Sequence, residues 1–420
     1  MEFKKYILRE LADVDISSVD KKTKEGEKPV RLCNFTDVYK NWAIRSHMHD
    51  SFMKATAKQK DIEKFSIHKG RVAITKDSET RDDIGIPTYI ADDFNDVVLG
   101  YHCALITPHR DFSGAYLNAY LNTKMAKKYF EGYASGSGQR YTLTLDSIKD
   151  IQIWAPKNKE DQDRIVKVLN DIDQKIILNT RMNAELEAMA KQLYDYWFVQ
   201  FDFPDENGKP YKSFGGKMVW NEKLNREIPD GWAVKDIDFF AQTPKESIAP
   251  YDYPDKPFKH YSIPAYDECG TYLQEMGNSI QSNKFIVKEG QILVPKLNPW
   301  YNRVLYVDNG DDSICSTEFV ILDVYEEYTK GYLYYIVKSD SFISYCTKSS
   351  TGTSHSQRRV NPDILKGFSV PYNKRIVGLY SASVMPCILK MQKNTDQNKS
   401  MTAFRDSLLP MLMNGQITIE

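Results

Sequence analysis

The sequence lacks the features that mark membrane-spanning, secreted and zinc-ribbon proteins. No run approaches the roughly 18 consecutive apolar residues of a transmembrane helix, and no long apolar stretch follows Met1–Tyr6 as in a signal peptide. None of the six cysteines stand at CxxC spacing, so neither a zinc ribbon nor a thioredoxin-like site is indicated. We therefore expect a cytoplasmic protein with free thiols and no membrane contact.

Net charge is also nearly absent. Lys and Arg number 56 against 57 Asp and Glu, which leaves a formal charge of -1 and no overall basic surface for nucleic acid. This balance does not exclude a local basic patch, because net charge averages over acidic surfaces elsewhere. With 420 residues and 41% hydrophobic composition, the chain is expected to form two or three globular domains.

Catalytic motifs are missing as well. No GxxxxGK[ST] loop is present to bind phosphates. The segment Asn298–Tyr301 is similar to the Asn-Pro-Pro-aromatic loop of adenine N6-methyltransferases, but it lacks the second proline and an upstream Gly-rich loop. His47 and His49 have no partner pattern of further ligands. We therefore predict no catalytic residue, no bound metal and no cofactor on this chain.

An internal repeat of about half the chain length is the most informative feature. The stretch Phe65–Lys76 aligns without gaps on Phe285–Lys296, with Phe, Gly and Lys matching. Each copy predicts a turn at Gly70 or Gly290 followed by a short apolar strand. Both copies continue into a small polar loop that ends in Gln-Arg and then into a proline. Upstream, a shifted alignment matches Tyr6, Leu8 and Leu11 with Trp232, Val234 and Ile237.

Each copy is followed by a long helical pattern. Seam positions recur at alternating steps of four and three from Ile165 to Trp197, and again from Tyr380 to Leu412. This heptad spacing predicts two coiled-coil helices that pack antiparallel. Two adjacent seam positions are Asn in both helices, namely Asn179, Asn183, Asn394 and Asn398. We expect Asn179 near Asn398 and Asn183 near Asn394, where they fix the register; the alternative is a helix irregularity or contact with solvent.

The predicted fold class is α+β, with two pseudo-symmetric mixed α/β domains separated by two long antiparallel coiled-coil helices. The predicted order is a globular domain over 1–155, a helix over 156–200, a turn-rich linker over 201–230, a second domain over 231–371 and a helix over 372–420. Apolar residues that flank the seams pack either on these domains or on partner proteins; they are Tyr194, Tyr196, Phe198, Leu409, Met411 and Met413.

The chain resembles the specificity (S) subunit of type I restriction–modification systems over essentially its whole length. The motifs that carry the resemblance are Asp161–Val166, Asn179–Asn183, Gln192–Phe198, Phe201–Pro204, Ile228–Trp232 and Leu408–Ile417. The resemblance implies a prokaryotic, non-catalytic subunit whose two target-recognition domains each read half of a split double-stranded DNA target. It also implies two modification subunits as partners, together with restriction and translocase subunits. S-adenosylmethionine, ATP and Mg are then expected on those partners.

The small polar loops are the best candidates for DNA contacts. Gln can bridge adenine N6 and N7, Arg can fork onto guanine O6 and N7, and Ser and Thr suit phosphate contacts. The alternative is a mobile surface loop. The predicted DNA-binding residues are Lys76, Ser135, Ser137, Gln139, Arg140, Lys296, Arg303, Thr351, Thr353, Ser354, Gln357, Arg358 and Arg359, with Arg81 as a weaker candidate.

Two other functions stay open on the sequence alone. One is a stand-alone two-lobed DNA-binding protein, which would purify without a large partner subunit. The other is a DNA methyltransferase with an unrecognised cofactor site, which would bind S-adenosylmethionine by itself.

Overall fold

The computed structural model describes residues 1–136, 138–352 and 357–417. The chain forms two compact units of mixed α/β structure. Unit 1 comprises Met1–Lys175 and the segment from Met401 onward, and unit 2 comprises Ile176–Ser400. The boundary between the units therefore passes through both long helices. The predicted fold class, with mixed α/β domains and two long helices, is confirmed.

Unit 1 is built around a five-stranded sheet with strand order β2-β10-β6-β8-β4. A three-stranded sheet, β5-β3-β9, and the small sheets β1-β13 and β11-β12-β7 complete it. Its strands are β1 (Phe3–Ile7), β2 (Ala12–Ile16), β3 (Lys28–Cys33), β4 (Ala43–Ile44), β5 (Met53–Ala57), β6 (Val72–Thr75), β7 (Asp77–Ser78), β8 (Pro87–Ile90), β9 (Val97–Leu99), β10 (Cys103–Pro108), β11 (Ser135–Gly136), β12 (Tyr141–Thr142) and β13 (Gln152–Pro156).

Unit 2 contains a four-stranded sheet, β17-β25-β22-β23, and a five-stranded sheet, β18-β21-β24-β19-β20. The predicted linker contains the hairpin β14-β15, and β16 pairs with β26. Its strands are β14 (Met218–Asn221), β15 (Arg226–Pro229), β16 (Ala233–Asp236), β17 (Ala241–Gln242), β18 (Ser247–Ile248), β19 (Pro257–Tyr261), β20 (Leu273–Met276), β21 (Lys284–Ile286), β22 (Ile292–Pro295), β23 (Leu305–Tyr306), β24 (Ser313–Cys315), β25 (Phe319–Val324) and β26 (Ser369–Tyr372).

Two helices are far longer than the rest. They are α7 (Lys159–Tyr194), which continues as a π-helical turn over Asp195–Val199, and α12 (Lys374–Met413). The shorter helices are α1 (Leu8–Leu11), α2 (Phe35–Lys40), α3 (Gln59–Phe65), α4 (Gly114–Leu121), α5 (Lys124–Tyr133), α6 (Leu145–Lys149), α8 (Ile263–Cys269), α9 (Lys330–Lys338), α10 (Asp340–Lys348) and α11 (Pro362–Lys366).

The internal repeat corresponds to a shared topology. In unit 1, β6 pairs antiparallel with β10, and β3 pairs parallel with β9. In unit 2, β22 pairs antiparallel with β25, and β19 pairs parallel with β24. The turns before β6 and β22 place Gly70 at φ 93° and Gly290 at φ 82°, a left-handed conformation that suits glycine. The predicted turn and strand are therefore confirmed in both copies.

The upstream part of the sequence alignment was wrong. Ala12 pairs with Pro108 at the end of β10, and Ala241 pairs with Val324 at the same place on β25. Leu11 therefore corresponds to Phe240 and not to Ile237. Connections of different length between the two copies shift the register, and a match of apolar residues alone does not reveal such shifts.

Each unit buries part of both long helices in its own core. In unit 1, Ile165, Leu169 and Leu409 join the core behind the five-stranded sheet. In unit 2, Tyr194 and Tyr380 join the core behind the four-stranded sheet. Of the flanking apolar residues, Tyr194, Phe198, Leu409 and Met413 are core members, and Tyr196 packs against the core of unit 2. These five pack on the globular domains, as one of the two alternatives predicted.

The Asn positions pair within unit 2. Asn179 Nδ2 donates to Asn398 Oδ1 at 2.9 Å, and Asn394 Nδ2 donates to Asn183 Oδ1 at 2.8 Å. The pairing runs in opposite directions along the two helices, so α7 and α12 are antiparallel here. Asn179 and Asn394 are 2% and 0% exposed. The predicted pairing is present; that it fixes the register stays a prediction.

Candidate DNA interface

Lys76 and Lys296 occupy equivalent positions at the end of the repeated strand. Lys76 N donates to His102 O at 3.0 Å, and Lys296 N donates to Glu318 O at 2.8 Å. His102 and Glu318 therefore also correspond, one just before β10 and the other just before β25. Both lysines are half-buried. The end of the central antiparallel strand pair of each sheet thus carries one lysine and one further polar residue.

The small polar loops return to these strand ends through short ladders. In unit 1, Thr142 pairs with Asp77, and Ser135 pairs with Thr142. In unit 2, Arg359 bridges to Leu297 and to Thr351. The two ends of each loop therefore lie side by side at the end of the sheet. Because Asp77 and Leu297 both follow the repeated lysine, Arg359 takes the place of Thr142.

This register corrects the alignment of the two Gln-Arg endings. Counting back along the strands, Arg140 of unit 1 corresponds to Gln357 of unit 2, and not to Arg358. The Gln-Arg dipeptides of the two loops therefore match in sequence but are offset by one residue in the structure. An ungapped match of flexible loops cannot detect this shift, because the loop lengths differ and only the strand pairing sets the correspondence.

Asp77 contacts three basic side chains at the end of the sheet in unit 1. Its carboxylate accepts from Lys76 Nζ at 2.9 Å and from Arg140 Nη2 at 3.0 Å, and His102 Nδ1 lies 2.7 Å from its Oδ2. Burial by itself would raise the pKa of Asp77, but hydrogen bonds from His102, Thr142 and Lys76 outweigh it and lower the pKa to about 2. The side chain is only 10% exposed, whereas that of Arg140 is 58% exposed.

Glu318 holds the arginine of the second loop in a different way. Arg359 Nε donates to both carboxylate oxygens, at 3.1 and 3.0 Å, and Arg359 Nη2 donates to Oε1 at 3.0 Å. The hydrogen bonds to Glu318 raise the pKa of the Arg359 guanidinium. The two side chains are 48% and 29% exposed, so this pair lies at the surface.

Arg358 forms hydrogen bonds that hold the backbone of its own loop. Its Nη2 donates to Ser350 O at 2.5 Å, and its main chain forms two hydrogen bonds with Asn298, at 2.8 and 3.1 Å. Asn298 has a left-handed backbone with φ 49° and begins the turn over Pro299–Tyr301. The Asn-Pro-Trp-Tyr segment therefore braces the second loop.

The remaining predicted arginines each form hydrogen bonds within the protein. Arg303 Nε and Nη2 donate to Asp267 at 2.7 and 2.8 Å, and its guanidinium stacks 4.3 Å from the ring centre of Tyr301. Its side chain is only 12% exposed. Arg81 Nη2 donates to Ala134 O at 3.2 Å. Arg303 is thus placed to support Tyr301, whose ring is 58% exposed.

Six of the predicted loop residues are exposed on their unit, as a DNA contact requires. They are Ser135, Gln139, Arg140, Thr351, Gln357 and Arg359. Ser137, Thr353 and Ser354 lie outside the described residues. Whether these side chains contact bases or phosphates stays a prediction.

Sequence reasoning missed three residues that hold the loops, Asp77, His102 and Glu318. Asp77 and His102 line a groove of ≈ 590 Å³ together with Gln139 and Arg140, and the stacked rings of Phe35 and Tyr39 form another part of its wall. The only sequence signal for Asp77 was its position directly after the repeated lysine. His102 and Glu318 had none, because they do not match between the copies.

Within residues 1–136, 138–352 and 357–417, none of the helices combines the length and the apolar character of a membrane span. Likewise, no three His, Cys, Asp or Glu side chains of these ranges cluster in a way that could hold a metal ion.

Comparison with known families identifies the first half of the chain. Residues 3–188 match the family described as Type I restriction modification DNA specificity domain. This region of the chain is thus similar to a type I DNA specificity domain. The resemblance inferred from the motifs is thereby confirmed.

Two curated relatives match most of the length of this chain. The HindI specificity subunit of Haemophilus influenzae is 24% identical over 412 residues, covering 84% of this chain and 88% of the relative. The MjaIX specificity subunit of Methanocaldococcus jannaschii is 24% identical over 344 residues, covering 75% and 72%. Both relatives are named as subunits of type I restriction enzymes.

A solved structure supports the fold. The S subunit of a type I restriction–modification system from M. genitalium superposes with a TM-score of 0.58 at 13% identity. It covers 98% of this chain and 96% of that one. This chain thus shares its fold with that S subunit over nearly the whole length.

Proposed function

We propose that this chain is the DNA sequence-specificity subunit of a type I restriction–modification complex, in which each unit reads one half of a bipartite target. One observation supports this most strongly. The same strand end carries a lysine and an arginine-bearing polar loop in both units, in a chain whose residues 3–188 match a DNA specificity domain. Duplicated reading elements on one chain suit a target with two halves.

The chemistry of the loops suits readout of double-stranded DNA. Exposed Arg and Gln side chains present the donor and acceptor pairs that distinguish bases in the major groove. The lysines beside them, and the Ser and Thr hydroxyls, suit phosphate contacts that position the loops without reading sequence. The near-zero net charge is compatible with this, because partner subunits can neutralise further phosphates.

The decisive experiment exchanges one half of the protein. Replacing residues 1–155 by the equivalent part of a relative should change one half of the methylated motif and leave the other half intact. Methylation-sensitive sequencing of cells that carry this chain and a modification subunit measures both halves at once. A chimera in which both half-targets change, or a wild-type chain that directs no sequence-specific methylation, would contradict the proposal.

We further propose that the chain is non-catalytic and recruits modification subunits through exposed faces of its long helices. Leu178, Met182 and Met189 form one stripe along α7 and are 56%, 41% and 65% exposed. S-adenosylmethionine, ATP and Mg would then belong to the modification subunits and to the restriction and translocase subunits. Exposed apolar side chains on a helix that also contributes to a core are suited to a protein partner.

Co-purification tests the recruitment. The double substitution Leu178→Glu with Met189→Glu should abolish retention of a co-expressed modification subunit, because two charges would enter an apolar contact. Met125→Glu is a matched control, since Met125 is 57% exposed on α5 of unit 1. Full retention by the double variant would exclude this face of α7.

The four seam Asn residues are proposed to fix the register of the helix pair. Asn179 and Asn398 are predicted to show a coupling energy of about 1 kcal/mol in a double-mutant cycle with Ala, because each single substitution removes the hydrogen bond that the two side chains share. Unfolding in urea measures it. Additive effects of the two single substitutions would mean that the pair has no part in the register.

A further inference from the structure

Both units hold a loop arginine with a carboxylate, but the carboxylates stand at non-equivalent positions of the fold. In unit 1 the acid is Asp77, which follows the repeated lysine. In unit 2 that position is Leu297, and the acid is Glu318, at the place of His102. An arginine–acid pair therefore occurs at the same end of the sheet in both units, but non-equivalent residues form it. A pair that recurs without a matching sequence indicates a shared requirement for an oriented guanidinium.

The Arg359–Glu318 pair leaves one edge of the guanidinium available. Glu318 contacts Nε and Nη2, which form the side edge of the group. Among the described residues, no hydrogen bond engages Nη1 of Arg359. The end edge, formed by Nη1 and the second hydrogen of Nη2, can therefore donate two parallel hydrogen bonds. Guanine O6 and N7 accept this arrangement in the major groove.

The carboxylate restricts where that edge points. A free arginine side chain must lose considerable rotamer freedom when it binds, whereas one already held by two oxygens loses less. Glu318 is 29% exposed and Arg359 48% exposed, so the pair is accessible to a large ligand and is not buried in the core. Glu318 also keeps acceptor capacity for an amino group of a neighbouring base.

Arg358 is a poor candidate for the same task. It is half-buried, its guanidinium donates to Ser350 O, and its main chain is bonded to Asn298. Moving it onto a base would break the bonds that shape the loop. Arg358 therefore maintains the loop, and Arg359 projects from it.

We propose that Arg359 reads a guanine in the half-target of unit 2, that Glu318 is the positioning residue which orients it, and that Arg358 maintains the loop. This inference rests on the proposed function, because it assumes that unit 2 reads DNA. It narrows the expected readout of the second loop to one arginine and to one base class.

The test is a binding selection with the full chain and its co-expressed modification subunit, using randomised DNA duplexes as the probe. Arg359→Lys should lose at least about fivefold discrimination for guanine at one position of one half-target, because Lys cannot form the paired hydrogen bonds. Glu318→Gln should relax the same position less strongly, and Glu318→Asp should restore part of the preference. The other half-target should not change for any of these variants.

Asp230→Asn serves as a matched control, because it removes the same charge from an exposed ion pair with Lys217 in the linker. It should leave every position unchanged. A thermal unfolding curve for each variant shows that the preference is not lost through unfolding.

The outcomes distinguish a failure of this inference from a failure of the proposed function. A wild-type chain with no sequence preference would overturn the proposed function. A wild-type chain with a bipartite preference that Arg359→Lys leaves intact would overturn the inference alone. Uniform weakening on every sequence, with a shallower salt dependence, would assign Arg359 to a phosphate and also overturn it.

Discussion

Units 1 and 2 share strand order around their central strand pairs, β6–β10 and β22–β25, yet one carboxylate in each unit shows an opposite electrostatic balance. In unit 1, Asp77 is nearly enclosed and is held ionised, with its pKa lowered to about 2. In unit 2, Asp396 on α12 lies beside Asp308, and burial followed by the repulsion from Asp308 raises its pKa to about 6 despite Lys399 and Lys259. The comparison teaches that a repeated backbone does not carry repeated electrostatics.

The difference follows from the number of donors around each carboxylate. Asp77 forms hydrogen bonds with His102, Thr142 and Lys76, so the charged form gains more from hydrogen bonds than it loses by burial. Asp396 faces another carboxylate, so its charged form is opposed by burial and by repulsion together. One site therefore stabilises its unit when ionised, and the other destabilises its unit when ionised.

The largest expected effect comes from removing the carboxylate of Asp77, which is held by several hydrogen bonds. Asp77→Ala should destabilise the protein by about 3 kcal/mol, because it leaves the partly buried Lys76 and His102, and the exposed Arg140, without their carboxylate partner. Hydrogen exchange followed by mass spectrometry should place the lost protection in β6 and β10 of unit 1. Glu318→Ala, at the surface pair of unit 2, should cost less than about 1 kcal/mol. Equal losses for the two variants would remove the distinction between the units.

The pH dependence of the Asp77 contribution has a defined sign. Its folded-state pKa is lowered from 3.8 to about 2, so its contribution is fully present above pH 4 and disappears as the pH falls toward 2. The difference in stability between the wild type and Asp77→Asn should therefore shrink over that interval. Urea unfolding at several pH values measures it, and a constant difference would contradict the assignment.

Asp396→Asn should have the opposite effect, an increase in stability of about 1 kcal/mol at pH 7.5, discounted because the side chain is partly exposed. The folded-state pKa of about 6 lies above the ordinary 3.8, so the unfolded chain loses this proton first as the pH rises. The cost of the charge therefore develops between pH 4 and 6 and is absent below pH 4. Thermal unfolding at pH 4 and 7.5 checks both ends. A destabilised variant at pH 7.5 would show that Lys399 and Lys259 dominate instead.

The smallest expected effects concern cations of α12 that stack on a ring in each unit. Arg405 lies 4.6 Å from the ring centre of Trp42 in unit 1, and Lys399 lies 3.7 Å from that of Tyr272 in unit 2. Replacing either cation by Met should cost about 0.5–1 kcal/mol in unfolding experiments. Phe404→Leu, at a 55% exposed site of the same helix, supplies a neutral reference. No loss in either variant would mean that these contacts do not anchor the helix.

Much of the architecture follows from the sequence because it depends on local patterns. The seam from Ile165 to Trp197 follows from heptad spacing, and every seam position on both helices is buried or half-buried. Arg405 occupies one of the seam positions of α12, where its guanidinium packs over the ring of Trp42. The repeated turns at Gly70 and Gly290 were also predictable, since a glycine before an apolar run signals a turn.

The tertiary structure alone decided which acid meets which arginine. Asp77 and Arg140 are separated by 63 residues, and Glu318 and Arg359 by 41, so no local pattern connects them. The strand registers also decided that Arg140 corresponds to Gln357, because pairing across a ladder, and not similarity of letters, sets equivalent positions. The sequence determined two repeats, two long helices and two polar loops through periodicity and turn chemistry. The charges that orient those loops were determined only by the way distant strand ends meet in the folded units.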